Sequence, residues 1–311
     1  MIVSEEVENP AIASIASMIR LRHAARELVG FPNSPARQVV SGSHKSRMRG
    51  RGMDFEEVRV YQAGDDIRTI DWRVTARSQN TYTKIYTEER EKPLLVITDL
   101  RAPMFFGSQR LKSVAASEVS AALAWAALSS NDRLGGIVFG QKKTANIKPR
   151  RSHHSVLKYI QSLNTFSAEL LKPREDYYTM ADILEETQKF VMPGSTLFIV
   201  SDFLDFDEQS YRLLFKLVRH SKVYFCRVFD PIERELPSPG FYAVTDGNQR
   251  ALLNTNGKTL RASYRNTYEE HVKYLQKISE KLRVGLISLD CSMDIMQVLG
   301  SAFGKHCRQK K

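Results

Sequence analysis

Two short runs, LLVITD at 94–99 and TLFIVSD at 196–202, constrain this chain more than anything else in it. Each is continuously apolar, without the alternation of a half-wet strand, and each ends in an aspartate. A strand of that kind is buried on both faces, which happens chiefly in a parallel sheet covered by helices on either side. GGIVFG (135–140), KVYFCRV (222–228) and VGLISL (284–289) repeat the texture. Between them lie helical segments at 109–129, 152–164, 177–190, 207–219, 262–282 and 293–303. The first is Ala-rich, with Leu111, Val114, Ala115, Val119, Ala122 and Leu123 as its apolar stripe. Strands alternating with helices of ten or more residues predict an α/β fold, a mostly parallel sheet with helices on both faces. One stretch breaks the alternation: 240–254 reads as two short strands flanking Asp246-Gly247, a hairpin signal.

Upstream the texture differs. Residues 11–29 place Ile12, Ile15, Ile19, Leu21 and Leu28 near helical spacing with Arg20, Arg22 and Arg26 interleaved, an amphipathic helix stopped by Gly30 and Pro32. Docking on its own domain is its expected fate. Residues 37–51 are basic and glycine-punctuated, a loop. FEEVRVY (55–61) and TYTKIYTEE (81–89) alternate as strands do. The expected organisation is a helix and linker at 1–36, a small β-rich module at 37–92, the α/β domain at 93–304 and a basic tail at 305–311.

The chain has 311 residues, 42% hydrophobic and 26% charged, so it has ample material for a core. Three cysteines, Cys226, Cys291 and Cys307, are too few and scattered for a disulfide framework or a zinc knuckle, and predict reduced thiols in a cytoplasmic protein. No apolar run reaches membrane-spanning length, and MIVSEEVENP lacks the basic start of a signal peptide, so at most peripheral membrane contact is expected. Of the formal charge of +11, residues 37–51 hold +5 (Arg37, Lys45, Arg47, Arg49, Arg51), residues 142–151 another +5 (Lys142, Lys143, Lys148, Arg150, Arg151) and the tail +4, leaving −3 elsewhere. Three basic loops or ends on a near-neutral globule suit one acidic partner face better than a genome-scale nucleic-acid binder.

Ligands of open α/β sheets sit beyond the carboxyl ends of the strands, where Asp99 and Asp202 fall. Two carboxylates there could hold a hard cation such as Mg²⁺, or simply cap the following turns; the residues alone leave both readings open. There is no phosphate-cradling glycine loop, no H-E-x-x-H and no G-x-S-x-G. His153 and His154 are adjacent and belong to a solvated helix start. Cys291 reads as a buried structural thiol.

The string SHKSRMRGRGMDFEEVRVYQAGDDIRTIDWRVTAR (43–77) is specific enough to name a family. Gly50, Gly52, Asp54, Phe55, Arg59, Tyr61, Gly64, Asp65, Asp66, Arg68, Ile70, Asp71, Trp72, Ala76 and Arg77 resemble the hallmark of a bacterial family, domain of unknown function number fifty-eight. That family is built on a von Willebrand factor A-like domain and is typically encoded beside MoxR-type AAA+ ATPases. The likeness continues through Glu88, Glu89, MFFG (104–107), Lys112, DRLGGIVF (132–139), SDF (201–203) and FDP (229–231) with Glu233 and Leu236.

The resemblance implies a Rossmann-like von Willebrand A fold, with the β module and the 240–254 hairpin packed together beside it. It also implies a metal-ion-dependent adhesion site, D-x-S-x-S plus a threonine and a second aspartate. Asp99, Thr179 and Asp202 take those places, but Arg101 and Pro103 stand where the serines belong. Proline has no side-chain ligand atom, and a guanidinium repels a cation, so a degenerate site without functional Mg²⁺ is expected, Arg101 pairing with Asp99 or Asp202 instead. In the GDD…IDW block, Asp65, Asp66 and Asp71 are expected to accept from tight turns and pair with Arg59, Arg68 and Arg77. Trp72 would anchor the module; a docking face is the other reading. The function expected is a non-enzymatic interaction module, an adaptor or substrate-recruiting partner of a MoxR-type AAA+ ATPase. The alternatives are a weak sequence-blind binder of nucleic acid or anionic membrane, and a divalent-metal phosphohydrolase using Asp99 and Asp202.

Overall fold

The computed structural model describes residues 9–28, 53–62, 67, 70–78, 80–88, 93–172, 178–245 and 250–303, with backbone alone for 53–57 and 84–88. The basic residues Lys45, Arg47, Arg49 and Arg51, the tail, and Gly64, Asp65, Asp66 and Arg68 lie outside them. The chain divides into two compact units, Met1–Ser34 with Lys92–Lys311, and Pro35–Glu91.

In the larger unit six strands form one sheet. In chain order they are β3 (Pro93–Asp99), β4 (Arg133–Phe139), β5 (Thr144–Arg150), β6 (Thr196–Ser201), β7 (Lys222–Phe229) and β10 (Gly285–Asp290). The spatial order is β10-β7-β6-β3-β4-β5. All neighbours are parallel except β4 and β5. Period-two geometry then sorts the apolar runs between two cores. Leu94 and Val96 of β3, with Phe198 and Val200 of β6, face helices α1 (Ile15–Ala24), α3 (Lys112–Ser129), α4 (His153–Glu169) and α8 (Ile295–Phe303). Leu95, Ile97, Leu197 and Ile199 face α5 (Met180–Phe190), α6 (Glu208–Val218) and α7 (Lys258–Leu282). The continuous apolar runs are therefore a consequence of helices on both faces.

Helix α3 is buried nearly all round, so its alanines are what lets α1, α4 and the sheet approach it closely. Beneath it, Thr98 donates to Ser120 Oγ at 2.6 Å and meets the Tyr159 hydroxyl at 2.6 Å, which satisfies three buried hydroxyls between β3, α3 and α4.

Three expectations are corrected here. The N-terminal helix is α1 followed by a turn at Ala25–Glu27, shorter than 11–29. Its buried contacts are Met18, Ala25 and Leu28, while Ile15 and Ile19 are about 40% exposed. It does dock on its own unit, where Trp125 Nε1 donates to the Met18 carbonyl and Ser17 donates to Glu118. Second, the basic segment at 142–151 is not a loop. Lys148 and Arg150 lie on β5, the antiparallel edge strand, whose Ile147 points into the core while Asn146, Lys148 and Arg150 stand exposed. Pro149 and the cations obscured that strand in the sequence, yet both are what an edge strand carries to prevent further pairing. Lys142 and Lys143 precede it, Lys143 paired to Glu169 at 2.6 Å, and Arg151 donates to Asn131. Third, α4 and α7 run longer than expected, to Glu169 and from Lys258.

Between β7 and α7, β8 (Phe241–Thr245) and β9 (Arg250–Asn254) pair antiparallel as the hairpin, their turn falling outside the described residues. In the smaller unit, β1 (Met53–Val60) and β2 (Tyr82–Glu88) pair antiparallel with an irregularity at Phe55/Glu57, and α2 (Trp72–Thr75) lies between them in sequence. Asp71 caps α2 by accepting from the amides of Arg73 and Val74 at 3.0 and 3.2 Å, as expected of a turn aspartate. Trp72, the first residue of α2, is 66% exposed. Arg59 reaches the Val60 carbonyl; Tyr61 is half-buried and Arg77 exposed.

Gly136 on β4 shows how close this packing is, because a Cβ there would stand 2.5 Å from the Tyr159 ring. Gly136→Ala is expected to cost about 1–3 kcal/mol. Gly300→Ala in α8, where a Cβ meets nothing within 4 Å, should be neutral or stabilise by up to about 1 kcal/mol. Urea midpoints of the two variants against the parent check both, and equal midpoints for the two would contradict the packing described.

Candidate functional site

The sheet dictates where a site can form. β3 continues through α3 to β4 on one side, whereas β6 continues through α6 to β7 on the other. The strand order therefore diverges between β3 and β6, and a crevice opens beyond their carboxyl ends. Asp99 ends β3 and Asp202 follows β6, both nearly fully buried. Short buried strands with a polar terminal residue leave those carboxylates at the crevice floor, where each needs a partner.

Arg101 supplies the partner for Asp99. Its Nε donates to Asp99 Oδ1 at 2.9 Å and its Nη2 to Oδ2 at 2.8 Å. The other edge of the guanidinium grips Asp205, Nη1 to Oδ2 at 2.6 Å and Nη2 to Oδ1 at 3.0 Å, and Nη1 also donates to the Tyr178 carbonyl at 2.8 Å. All five guanidinium N–H groups are thus used, which is the fork geometry that lysine could not reproduce. The remaining acceptor capacity of Asp99 is filled by the Arg101 amide and by Ser201 Oγ at 2.7 Å.

Asp202 pairs elsewhere. Lys112, at the start of α3 and with no exposed side-chain area, donates to Asp202 Oδ2 at 2.7 Å and to Glu233 Oε1 at 2.6 Å. Glu233 also accepts from the Asp230 amide, and Asp230 accepts from Ser108 N and Oγ, from the Ile232 amide, and from Cys291 Sγ at 3.3 Å. A polar lattice therefore runs from the loop after β3 through those after β6 and β7 to the end of β10. Two cations, Arg101 and Lys112, face five carboxylates there among the described residues. Backbone amides and hydroxyls satisfy the balance.

Burial and charge compete at each member. Burial lowers the pKa of Lys112, but Asp202 and Glu233 more than offset that and leave it raised. Burial raises Asp202, opposed by Lys112 and reinforced by Asp99, and the outcome is upward. Burial would also raise Asp205, yet its bonds to Arg101 and the Met180 amide hold it below the ordinary value. Burial and the neighbouring Asp230 push the Cys291 thiol up to about 12, consistent with an inert buried thiol. Phe203, between Asp202 and Asp205, adopts φ +57° with its ring buried against Phe225 at 4.4 Å between centroids. For a bulky residue that conformation costs on the order of 1–3 kcal/mol, offset by the burial of the ring.

The other sequence candidates fall as follows. Pro103 is exposed on the turn Ala102–Met104. Thr179 lies between Tyr178 and Met180, which contact Arg101 and Asp205, and its hydroxyl closes a capping box with Asp182 at the start of α5, because an N-terminal helix turn needs its amides satisfied. Arg101 pairs with Asp99 as anticipated, but with Asp205 and not Asp202. Asp205 escaped the sequence reading, although its signal, a second acid three residues after Asp202, is visible once the turn is known. His153 and His154 stand exposed at the start of α4. Among the described residues no group of three or more His, Cys, Asp or Glu is arranged to hold a metal ion, and no helix is long and apolar enough to cross a membrane.

The architecture is thus that of an open α/β sheet protein with a buried ion lattice at its strand-order switch. Residues 57–274 match the family described as "Protein of unknown function DUF58", and the chain belongs to that family. It is 29% identical over 255 residues to "Uncharacterized protein Rv1480" of Mycobacterium tuberculosis and, to the same extent, to "Uncharacterized protein Mb1516" of Mycobacterium bovis, covering 78% of this chain and 77% of each relative. Among solved structures it is similar to the conserved hypothetical protein BatB from Bacteroides thetaiotaomicron, with 13% identity and a TM-score of 0.45 over 68% of this chain and 96% of that one.

Two outcomes follow from the lattice. Lys112→Met leaves Asp202 and Glu233 without their buried cation and should destabilise by about 3–5 kcal/mol. A double-mutant cycle with Asp202→Asn should return a coupling of about 0.5–3 kcal/mol, and additivity would refute the pairing. The second concerns acid. Because the folded pKa of Asp205 lies below its unfolded value near 3.9, its stabilisation is present above that value and lost as pH falls through the folded pKa. Denaturant midpoints between about pH 5 and 2 should fall less steeply in Asp205→Asn than in the parent.

Proposed function

We propose that this chain is a non-enzymatic protein-interaction module, an adaptor or substrate-recruiting partner of a MoxR-type AAA+ ATPase in the assembly or maturation of other proteins. We read its six-stranded sheet as von Willebrand A-like and its crevice as a degenerate adhesion site. The observation that carries the reading is Arg101. Its guanidinium spans Asp99 and Asp205 from the place where a cation-binding site would offer a serine hydroxyl. Lys112 does the same for Asp202. The residues present do not fit a divalent cation, because the aspartate oxygens that would ligate it already serve fixed positive charges.

The same lattice supports a non-catalytic role. Ser201 donates to Asp99, and Ser108 and Cys291 to Asp230. Those carboxylates also accept from Arg101 or from backbone amides, which leaves them weak bases. Burial with Asp230 pushes the Cys291 thiol up, away from the thiolate a nucleophile needs. The unpaired, buried thiols Cys226 and Cys291 are compatible with a reducing cytoplasm.

Two measurements test the proposal. Isothermal titration with Mg²⁺ and with Mn²⁺ should give no saturable heat; a micromolar site abolished by Asp99→Ala would overturn the degenerate-site reading. The purified full chain added to the MoxR-type ATPase of the same cell, with nucleotide, should co-purify with it and alter its turnover. No association and unchanged turnover would refute the adaptor role.

A further inference from the structure

Helix α7 is 25 residues long, but only its second half is seated. Its inward stripe recurs at helical spacing through Leu260, Tyr264, Tyr268, Leu275 and Ile278. Leu275 and Ile278 are 0% and 4% exposed; Leu260 and Tyr264, on the same stripe, are 44% and 38% exposed. None of residues 258–267 is buried. The helix therefore overhangs its core, and its apolar stripe continues past the covering elements. At the root of the adjoining hairpin, Thr255 binds the Ser238 carbonyl, next to the Pro237 carbonyl that holds Arg261. On the hairpin itself Phe241 and Leu252 are 64% and 70% exposed.

Beside the bare stripe lies a cleft of about 350 Å³, walled by Lys258, Arg261 and Arg265 on one side and by Glu235 and Leu236 on the other. The three cations stand at i, i+3 and i+7, which puts them on one face. Arg265 is tied to Glu235 and Arg261 to the Pro237 carbonyl, so their guanidinium groups are positioned at the cleft wall. One carboxylate against three cations leaves the cleft positive, beside an apolar strip.

We infer that this cleft and the bare first half of α7 form a docking site for an acidic amphipathic segment of a partner protein. Its carboxylates would meet Lys258, Arg261 and Arg265, and its apolar side chains would cover Leu260 and Tyr264. Charge complementarity selects the occupant, since apolar contacts alone would not discriminate sign. A concave cleft with Glu235 in its wall, followed along the helix by Glu269 and Glu270, suits an inserted segment better than a planar anionic bilayer. The inference rests on the reading of the chain as an interaction module and adds where and by what chemistry the partner is held.

The test uses the full chain and a fluorescein-labelled 15-residue peptide with leucine at helical spacing and glutamate elsewhere. Controls are a lysine counterpart, a leucine-free glutamate peptide, and phosphatidylglycerol vesicles. The acidic amphipathic peptide should bind saturably and weaken with salt. Its affinity should fall by at least about tenfold in Lys258→Glu/Arg265→Glu and by several-fold in Leu260→Ser. Should the double variant fail to match the parent's thermal midpoint, Lys258→Glu alone carries the charge arm. Absence of binding, equal binding by the variants, or tighter binding to the leucine-free peptide or the vesicles overturns the inference. ATPase co-purification separates the two proposals: peptide binding without ATPase association sinks the adaptor reading alone, whereas ATPase association without peptide binding sinks the cleft alone.

Discussion

The clasp of Arg101 on Asp99 and Asp205 is the interaction on which the rest of the crevice depends. Parallel strands buried on both faces must end somewhere, and at the β3–β6 divergence they end in carboxylates that water does not reach. An isolated ionised carboxylate there is untenable, so it must be protonated, bound to a metal, or paired. This chain pairs it with a side chain two residues on, close enough that the Arg101 amide and guanidinium both serve one aspartate. Lys112 applies the same solution to Asp202, from the first turn of the most buried helix.

That arrangement ties four loops together. The turns after β3, β6 and β7 and the end of β10 share one hydrogen-bonded lattice, so a disturbance at Asp202 passes through Lys112 to Glu233 and on to Asp230. Buried ion lattices of this kind contribute little net stability over an apolar core, but removing one member leaves the others unpaired, which holds the loops in one arrangement. The basic cleft begins only two residues beyond the lattice member Glu233, at Glu235 and Leu236, yet it and the bare half of α7 carry the opposite design: exposed, apolar and positive.

Much of this was legible beforehand, for identifiable reasons. Strands buried on both faces announce themselves by unbroken apolar runs, so β3, β4, β6 and β7 were each visible; β10, an edge strand and mostly half-buried, was visible because its own run is nearly all apolar. Asp99 and Asp202 were visible because they terminate such runs. Strand β5 was not, since an edge strand has one wet face and carries the lysines, arginines and proline that otherwise mark loops. Ile15 and Ile19 misled because helical spacing defines a face without saying which face is covered. The role of Thr179 as the cap of α5 was not legible, because a hydroxyl before a helix shows its capping box only once the helix start is placed. Asp205 was missed because nothing in S-D-F-L-D-F-D tells which acid turns inward; the left-handed backbone at Phe203 accompanies that choice.

By itself, then, the sequence determined the α/β class, the presence of acids at the strand ends and the presence of a cation, Arg101, two residues after the first of them. Those are properties of local pattern: burial on both faces, and charge at a fixed spacing from a strand end. Only the tertiary structure decided that Arg101 spans Asp99 and Asp205, that Lys112 takes Asp202, and that half of α7 is left bare. Pairing partners at separations of about a hundred residues, and the extent to which a helix overhangs its sheet, depend on how packed elements meet in space, and no local periodicity encodes that.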